Sequence, residues 1–353
     1  MSWPIYTGKG EPHDGIDDLP APPNWRAFDG GPPLPPPAAG AADPSTERRL
    51  GTGGHHRVPE AEELQMINAA LYLRRPLLIT GRPGTGKSTL AYAVAEELKL
   101  GPVLRWPITS RSTLREGLYR YDPIGRLREE NLRQLRAKAD GSGAAAPEPD
   151  DIGRHISLGP LGTALLPYER PRMLLVDEID KSDIDLPNDL LNVFEEGQYE
   201  IEELTRLPAD QHTVRVMTAD PGGQVDVVRG RVRCRAFPFV VLTSNDEREF
   251  PPAFLRRCLR LDLKPPGPSQ LDAIIAAHLG PTASAAAATQ VTAFLEKRET
   301  AEVTTDQLLN AVYLATSGGR HENRTPDEVA ALHDVAAAVM RPLSNRPGAT
   351  EPR

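Results

Sequence analysis

Residues 76–100 read PLLITGRPGTGKSTLAYAVAEELKL, and this stretch decides the fold. PLLIT at 76–80 is a short apolar run of the kind a buried strand needs, whereas Leu90, Val94 and Leu98 recur at the four-residue spacing of one helical face. Between them, Gly81-Arg82-Pro83-Gly84-Thr85-Gly86-Lys87-Ser88 satisfies G-x-x-x-x-G-K-[ST] in the strand–turn–helix context that gives the pattern its meaning. Glycines let successive backbone N–H groups curl around phosphate oxygens at the positive end of a helix. Lys87 is then expected to reach the β- and γ-phosphates, and the Ser88 hydroxyl to bind Mg²⁺. The candidate nucleotide contacts are Gly81, Pro83, Gly84, Thr85, Gly86, Lys87, Ser88 and Thr89, and the expected ligands are ATP and Mg²⁺. Such a loop reads phosphates, not the base, so preference for ATP over GTP stays open.

Working outward, VLRW (103–106) is a further strand candidate, and RMLLV (172–176) and FVVLT (239–243) are short and unalternating, as strands covered by helices on both faces should be. The expected class is α/β, a mainly parallel sheet between helices. After KPPG (264–267) the chain turns helical, with capping boxes at Thr304 with Gln307 and at Thr325 with Glu328, Pro326 opening the second helix. The expected division is a disordered segment 1–58, an α/β nucleotide-binding domain 59–265 with insertions near 110–165 and 198–236, a helical lid 266–340 and a flexible tail 341–353.

The disorder expectation rests on composition. The chain carries 36 prolines and 29 glycines in 353 residues, against a usual combined share of roughly 12%. Residues 1–58 hold 11 of those prolines and 9 of the glycines, too little apolar surface to offset the entropy of ordering. They also hold Trp3, Tyr6, Trp25 and Phe28, which leaves a plain tail or a docking segment as alternatives. No apolar run approaches the ~18 residues of a membrane span, and no secretory signal opens the chain, so the expected location is the cytoplasm. Cys234 and Cys258 form no C-x-x-C pair, and the eight histidines show no metal-ligand spacing. A net charge of −8 argues against bulk attraction to nucleic acid.

The strand Met173–Val176 ends in Asp177 and Glu178, at the strand end where ligands sit in open α/β sheets. Asp177 is expected to hold the Mg²⁺ shell and Glu178 to polarise the water that attacks the γ-phosphate, with Asp180 and Lys181 structural. The strand ending in Thr243-Ser244-Asn245 offers Asn245 to orient that water. Arg256 and Arg257 follow in PPAFLRRC, and a cation there suits a neighbouring subunit's γ-phosphate, Arg257 being the first choice.

GRPGTGKST, MLLVDEIDK, VVLTSN and PPAFLRRC, in that order with a helical segment behind them, resemble the AAA+ ATPases and within them the MoxR-like branch. The resemblance covers about residues 59–340. It implies that Asn245 is the sensor 1 residue and that Arg320, with Arg324 close by, is the lid's sensor 2 arginine. It also implies a helix-2 insert in the first insertion and a pre-sensor-1 hairpin in the second. The activity implied is Mg²⁺-dependent hydrolysis of ATP by a homo-oligomeric ring, a hexamer, that remodels a client or adaptor protein. The alternative is a nucleic-acid motor or the NTPase subunit of a restriction-like or defence complex, and a non-hydrolysing nucleotide switch is the third class.

The resemblance leaves one pattern unexplained. Arg229, Arg231, Arg233 and Arg235 alternate with Gly230, Val232, Cys234 and Ala236, which in a strand places four arginines on one face. Such a face is either solvated or intersubunit, or a basic surface for an acidic substrate or a phosphate backbone.

Overall fold

The computed structural model describes residues 3–35, 44–51, 59–139, 152–301, 303–317 and 326–341. Strands β1 (Leu77–Thr80), β2 (Leu104–Pro107), β3 (Tyr119–Tyr121), β4 (Ile156–Leu158), β5 (Met173–Asp177) and β6 (Gln198–Glu200) come first. β7 (Thr213–Met217), β8 (Gln224–Val228), β9 (Arg231–Arg233), β10 (Phe239–Thr243) and β11 (Leu259–Asp262) complete the set. One sheet has the order β11-β1-β10-β5-β2, and every pairing in it is parallel.

The sequence pattern follows from position in that sheet. β5 and β10 lie inside it and are buried at all five positions, so both faces select apolar side chains. β2 lies at the edge and alternates, with Leu104 and Trp106 buried and Arg105 and Pro107 exposed. Each fully buried aliphatic side chain contributes about 1.5–3 kcal/mol. Because the strands are parallel and in register (Leu77 opposite Val241, Leu242 opposite Val176), the C-terminal ends of β1, β5 and β10 open on one edge of the sheet. This is the architecture expected, an α/β core with a helical C-terminal part.

The two insertions join each other. β3 and β4 from the first meet β6–β9 from the second in a six-stranded sheet, β3-β4-β7-β8-β9-β6. β7 and β8 form a hairpin about Pro221-Gly222-Gly223, closed by the Thr218 N–H donating to the Gly223 carbonyl. The first insertion also carries a helix, Pro123–Ala139, and residues 140–151 lie outside the described residues.

The four-arginine strand is corrected by this sheet. β9 spans only Arg231–Arg233; Arg229 (φ 52°) and Gly230 (φ 67°) form the left-handed turn that precedes it. Exposure still alternates, but Arg231 pairs with Glu200 at 2.8 Å and Arg233 with Asp29 at 2.7 Å. Carboxylates therefore already occupy two of the four cations.

The disorder expected for residues 1–58 is also corrected. Residues 3–35 lie along the α/β core, burying Ile5, Tyr6, Ile16 and Arg26. Asn68 Oδ1 accepts from the Ile5 and Tyr6 N–H groups at 2.7 and 2.9 Å. The Glu97 carboxylate, itself buried, accepts from the N–H groups of Thr7, Gly8 and Gly10 at 2.6–3.1 Å and from the Thr7 hydroxyl. Burial alone would raise the Glu97 carboxyl, but these hydrogen bonds outweigh it and hold it below its ordinary value. Further on, Arg26 donates to the carbonyls of Arg74 and Phe194 and lies over the Phe237 ring, while Leu34 exchanges backbone bonds with Pro167 and Glu169. Of the aromatics singled out, Tyr6 is buried, Phe28 stacks on Phe237, Trp3 lies tilted against Tyr72, and Trp25 is exposed. Residues 36–43 and 52–58 lie outside the described set.

Helices Pro268–Leu279, Pro281–Ala286, Ala288–Thr300, Thr305–Ser317 and Pro326–Val339 follow β11 and share their own core, which includes Leu271, Ile275, Phe294, Leu308 and Val312. The Gln307 side chain accepts from the Thr304 N–H at 2.9 Å, the backward half of the expected capping box. Thr325 and the tail from 342 lie outside the described residues, and Pro326 opens the last helix as expected.

Candidate nucleotide site

The glycine-rich loop closes β1 onto the helix Lys87–Glu97. Gly84 (φ 75°) and Gly86 (φ 90°) take the left-handed conformation that exposes successive N–H groups at the helix start. Lys87 Nζ donates to the carbonyls of Gly81 (2.7 Å) and Arg82 (3.0 Å) and to Asn245 Oδ1 (2.7 Å), so all three ammonium protons are engaged. Burial pulls this ammonium below its ordinary value, and Asp180, Asp246, Asp177 and Glu178 oppose the shift.

Asp177 closes β5 beside this loop. Its Oδ1 accepts from Ser88 Oγ at 2.6 Å and Thr243 Oγ1 at 2.9 Å; its Oδ2 accepts from Arg105 Nη2 at 2.7 Å and Nε at 3.0 Å. Burial pushes the carboxyl up, but the hydrogen bonds from Ser88, Arg105 and Thr243 win and hold it low, so it is an anion at neutral pH. An ionised carboxylate beside a serine hydroxyl is the hard-oxygen pair that suits Mg²⁺.

Glu178 sits at φ 63°, a conformation that costs a non-glycine residue about 1–2 kcal/mol. Its N–H donates to Thr243 Oγ1 at 2.9 Å, and its Oε2 accepts from Lys181 Nζ at 2.8 Å. The turn re-aims the acid away from the strand line, and Lys181 holds it there. Asp180 Oδ2 accepts from the Asn245 N–H at 2.7 Å, at the end of β10.

The structure thus brings Lys87, Ser88, Asp177, Glu178 and Asn245 to one edge of the sheet. Arg256 and Arg257 are elsewhere. They precede β11 at its N-terminal end, where the Arg256 carbonyl accepts from Arg75, just ahead of β1. A strand of four residues, about 13 Å, separates them from the site edge. Arg256 is exposed, and Arg257 Nε donates to Glu195 at 2.7 Å. Arg320 and Arg324 lie outside the described residues. Among described residues, no three His, Cys, Asp or Glu side chains cluster as a metal site, and no helix is long and apolar enough to cross a membrane. Cys234 and Cys258 are buried free thiols, each pushed up to about 12 by burial.

Three contacts were not anticipated from sequence: Thr243 as a partner of Asp177, Arg105 on the same carboxylate, and Thr305 Oγ1 of the helical part donating to the Gly84 carbonyl at 2.8 Å. Period-2 alternation in VLRW, with one cation between buried Leu104 and Trp106, was the available signal for Arg105.

Residues 76–258 match the family model described as AAA domain (dynein-related subfamily). The chain belongs to this AAA family. The dynein-related AAA match spans the glycine-rich loop, the acids of β5, Asn245 and Arg256–Arg257, making the chain an AAA+ P-loop NTPase. No curated protein matches the chain at a significant level. Among solved structures, that of C. elegans PCH-2 is similar at 13% identity and a TM-score of 0.37, covering 83% of this chain and 70% of that one.

Proposed function

We propose that this AAA protein hydrolyses ATP with Mg²⁺ as a homo-oligomeric ring of the MoxR-like kind, a hexamer, and uses the cycle to remodel or activate a client or adaptor protein. In this reading the glycine-rich loop and Lys87 hold the phosphates, Ser88 and Asp177 hold the ion, and Glu178 polarises the attacking water, which Asn245 orients. Held by Ser88 and Asp177, a bound Mg²⁺ would supply positive charge against the negative charge that develops on the phosphates. Lys87 must leave the Gly81 and Arg82 carbonyls to meet phosphate, and Glu178 must part from Lys181 to meet water.

The observation that carries the reading is the split of functional groups between the two ends of the sheet. Binding and acid–base residues gather where β1, β5 and β10 end, whereas Arg256 and Arg257 lie a strand length behind them. In their own chain these arginines are too far back to reach the γ-phosphate; in a ring a neighbour's site is available. Against the nucleic-acid alternative, Arg231 and Arg233 are already paired with carboxylates.

Subunit complementation tests this reading. Lys87→Ala lacks phosphate binding but keeps the arginines, and Arg257→Ala keeps the site but lacks one arginine. Each alone should be nearly inactive, and mixing should restore turnover. If mixed assemblies stay as inactive as their parents, or if Arg256→Ala and Arg257→Ala are both fully active alone, the trans-arginine assignment fails.

A further inference from the structure

The Asp177 carboxylate at the end of β5 is closed by a cation of this same chain. Asp177 has two oxygens and about four acceptor positions. Ser88 and Thr243 take those of Oδ1, and the guanidinium of Arg105 takes those of Oδ2 through Nη2 (2.7 Å) and Nε (3.0 Å). Register explains the contact. Arg105 lies opposite Leu175 and Pro107 opposite Asp177 in the parallel β2–β5 pair, so Arg105 and Asp177 share a face two positions apart. The Arg105 side chain is 42% exposed, on an edge strand where it has room to swing out, while Asp177 is only 7% exposed.

We infer that Arg105 is a positioning residue that occupies the place of the metal's water shell on Asp177 and so sets how much Mg²⁺ the site demands. This inference rests on the proposed role of Asp177 at the ion. With all four acceptor positions filled, Asp177 accepts a further hydrogen bond only after a donor withdraws. Ser88 and Thr243 come from the phosphate-binding helix and from β10, both inside the core; Arg105 is the exposed partner and the one that bears a positive charge. Coulomb repulsion between its guanidinium and a nearby divalent ion acts in the same direction as the competition for lone pairs. Nucleotide entry with its ion is thereby coupled to release of Arg105 from the edge strand.

The test is a Mg²⁺ titration of the full chain equilibrated with a fluorescent, non-hydrolysable ATP analogue, starting from EDTA, with the half-saturating Mg²⁺ concentration as the readout. R105L should lower that midpoint about tenfold, and R105K, which keeps the charge with fewer donors, should fall between. A second readout is thermal stability. Without Mg²⁺ and nucleotide R105L should melt below wild type, and the gap should shrink when both are added. If R105L fails to fold, R105K carries the test by itself. An unchanged midpoint overturns the inference, and so does a midpoint raised by the roughly 10–100-fold typical of losing an outer-shell support, since both exclude competition. Asp177→Asn separates the two levels: if it leaves the midpoint untouched, Asp177 is not at the ion and the functional reading fails; if it shifts the midpoint while R105L does not, only the role of Arg105 fails.

Discussion

Lys87 Nζ lies 2.7 Å from Asn245 Oδ1, so the lysine of the glycine-rich loop and the polar residue at the end of β10 are hydrogen-bonded across the site. The remaining lysine protons go to the loop's own carbonyls. The resting site is therefore a self-satisfied polar network, which avoids a buried unpaired ammonium. Under the proposed function, ATP binding would exchange these neutral acceptors for phosphate oxygens, an exchange that the absence of charge on Asn245 favours.

That neutrality gives the first prediction. Asn245→Asp keeps the shape, turns the contact into a charge-assisted pair with Lys87, and places an anion near the incoming γ-phosphate. ATP affinity measured by calorimetry should fall about tenfold or more, whereas Asn245→Ala should bind near-normally and lose turnover. Equal affinity for Asn245→Asp and wild type would show that the Lys87–Asn245 contact has no bearing on the nucleotide.

A second prediction concerns the N-terminal strap and pH. Glu97 has its folded value held below the ordinary 4.5, so its stabilisation is fully present above about 4.5 and is lost as pH falls through the folded value. Glu97→Gln should lower stability at neutral pH by about 2 kcal/mol, the scale of hydrogen bonds to a charged group. The difference in melting temperature between the two proteins should hold from pH 7 to 5 and close at lower pH. A gap that persists unchanged in acid would mean that the carboxylate charge is not what holds residues 7–10.

This strap also shows where sequence reading stopped. Strand–loop–helix order, the acids of β5 and Asn245 were legible because each is local: apolar runs, a spaced motif, a polar residue at a strand end. Residues 3–35 were not, because a Pro/Gly-rich segment has little apolar surface, and its order comes from donors on its backbone and acceptors 60–90 residues away, on Asn68 and Glu97. Tyr6 and Phe28 within it, and a polar Asn68 and an acidic Glu97 on otherwise buried helix faces, were its traces in the sequence. Arg105 was hidden likewise, since its partnership with Asp177 depends on which strands are neighbours. The Arg229–Arg235 alternation was over-read: the period was real, but the strand is three residues long and its cations are paired.

The third prediction follows from that pairing. Arg231→Ser with Arg233→Ser removes two exposed ion pairs, each worth about 0–1 kcal/mol. The double variant should fold, melt within a few degrees of wild type and keep basal ATPase. A steep salt-dependent loss of DNA binding in this variant would instead support a phosphate-backbone surface.

The central claim, that this chain hydrolyses ATP with Glu178 at the water and Lys87 at the phosphates, is tested most directly by single-turnover hydrolysis of radiolabelled ATP on purified protein at ring-forming concentration. Wild type should convert bound ATP to ADP and phosphate, and Lys87→Ala should retain little nucleotide. Glu178→Gln should bind ATP with near wild-type affinity yet hydrolyse it at least about a hundredfold more slowly, the scale expected for losing a general base. A Glu178→Gln protein that turns over bound ATP at close to the wild-type rate would contradict the account.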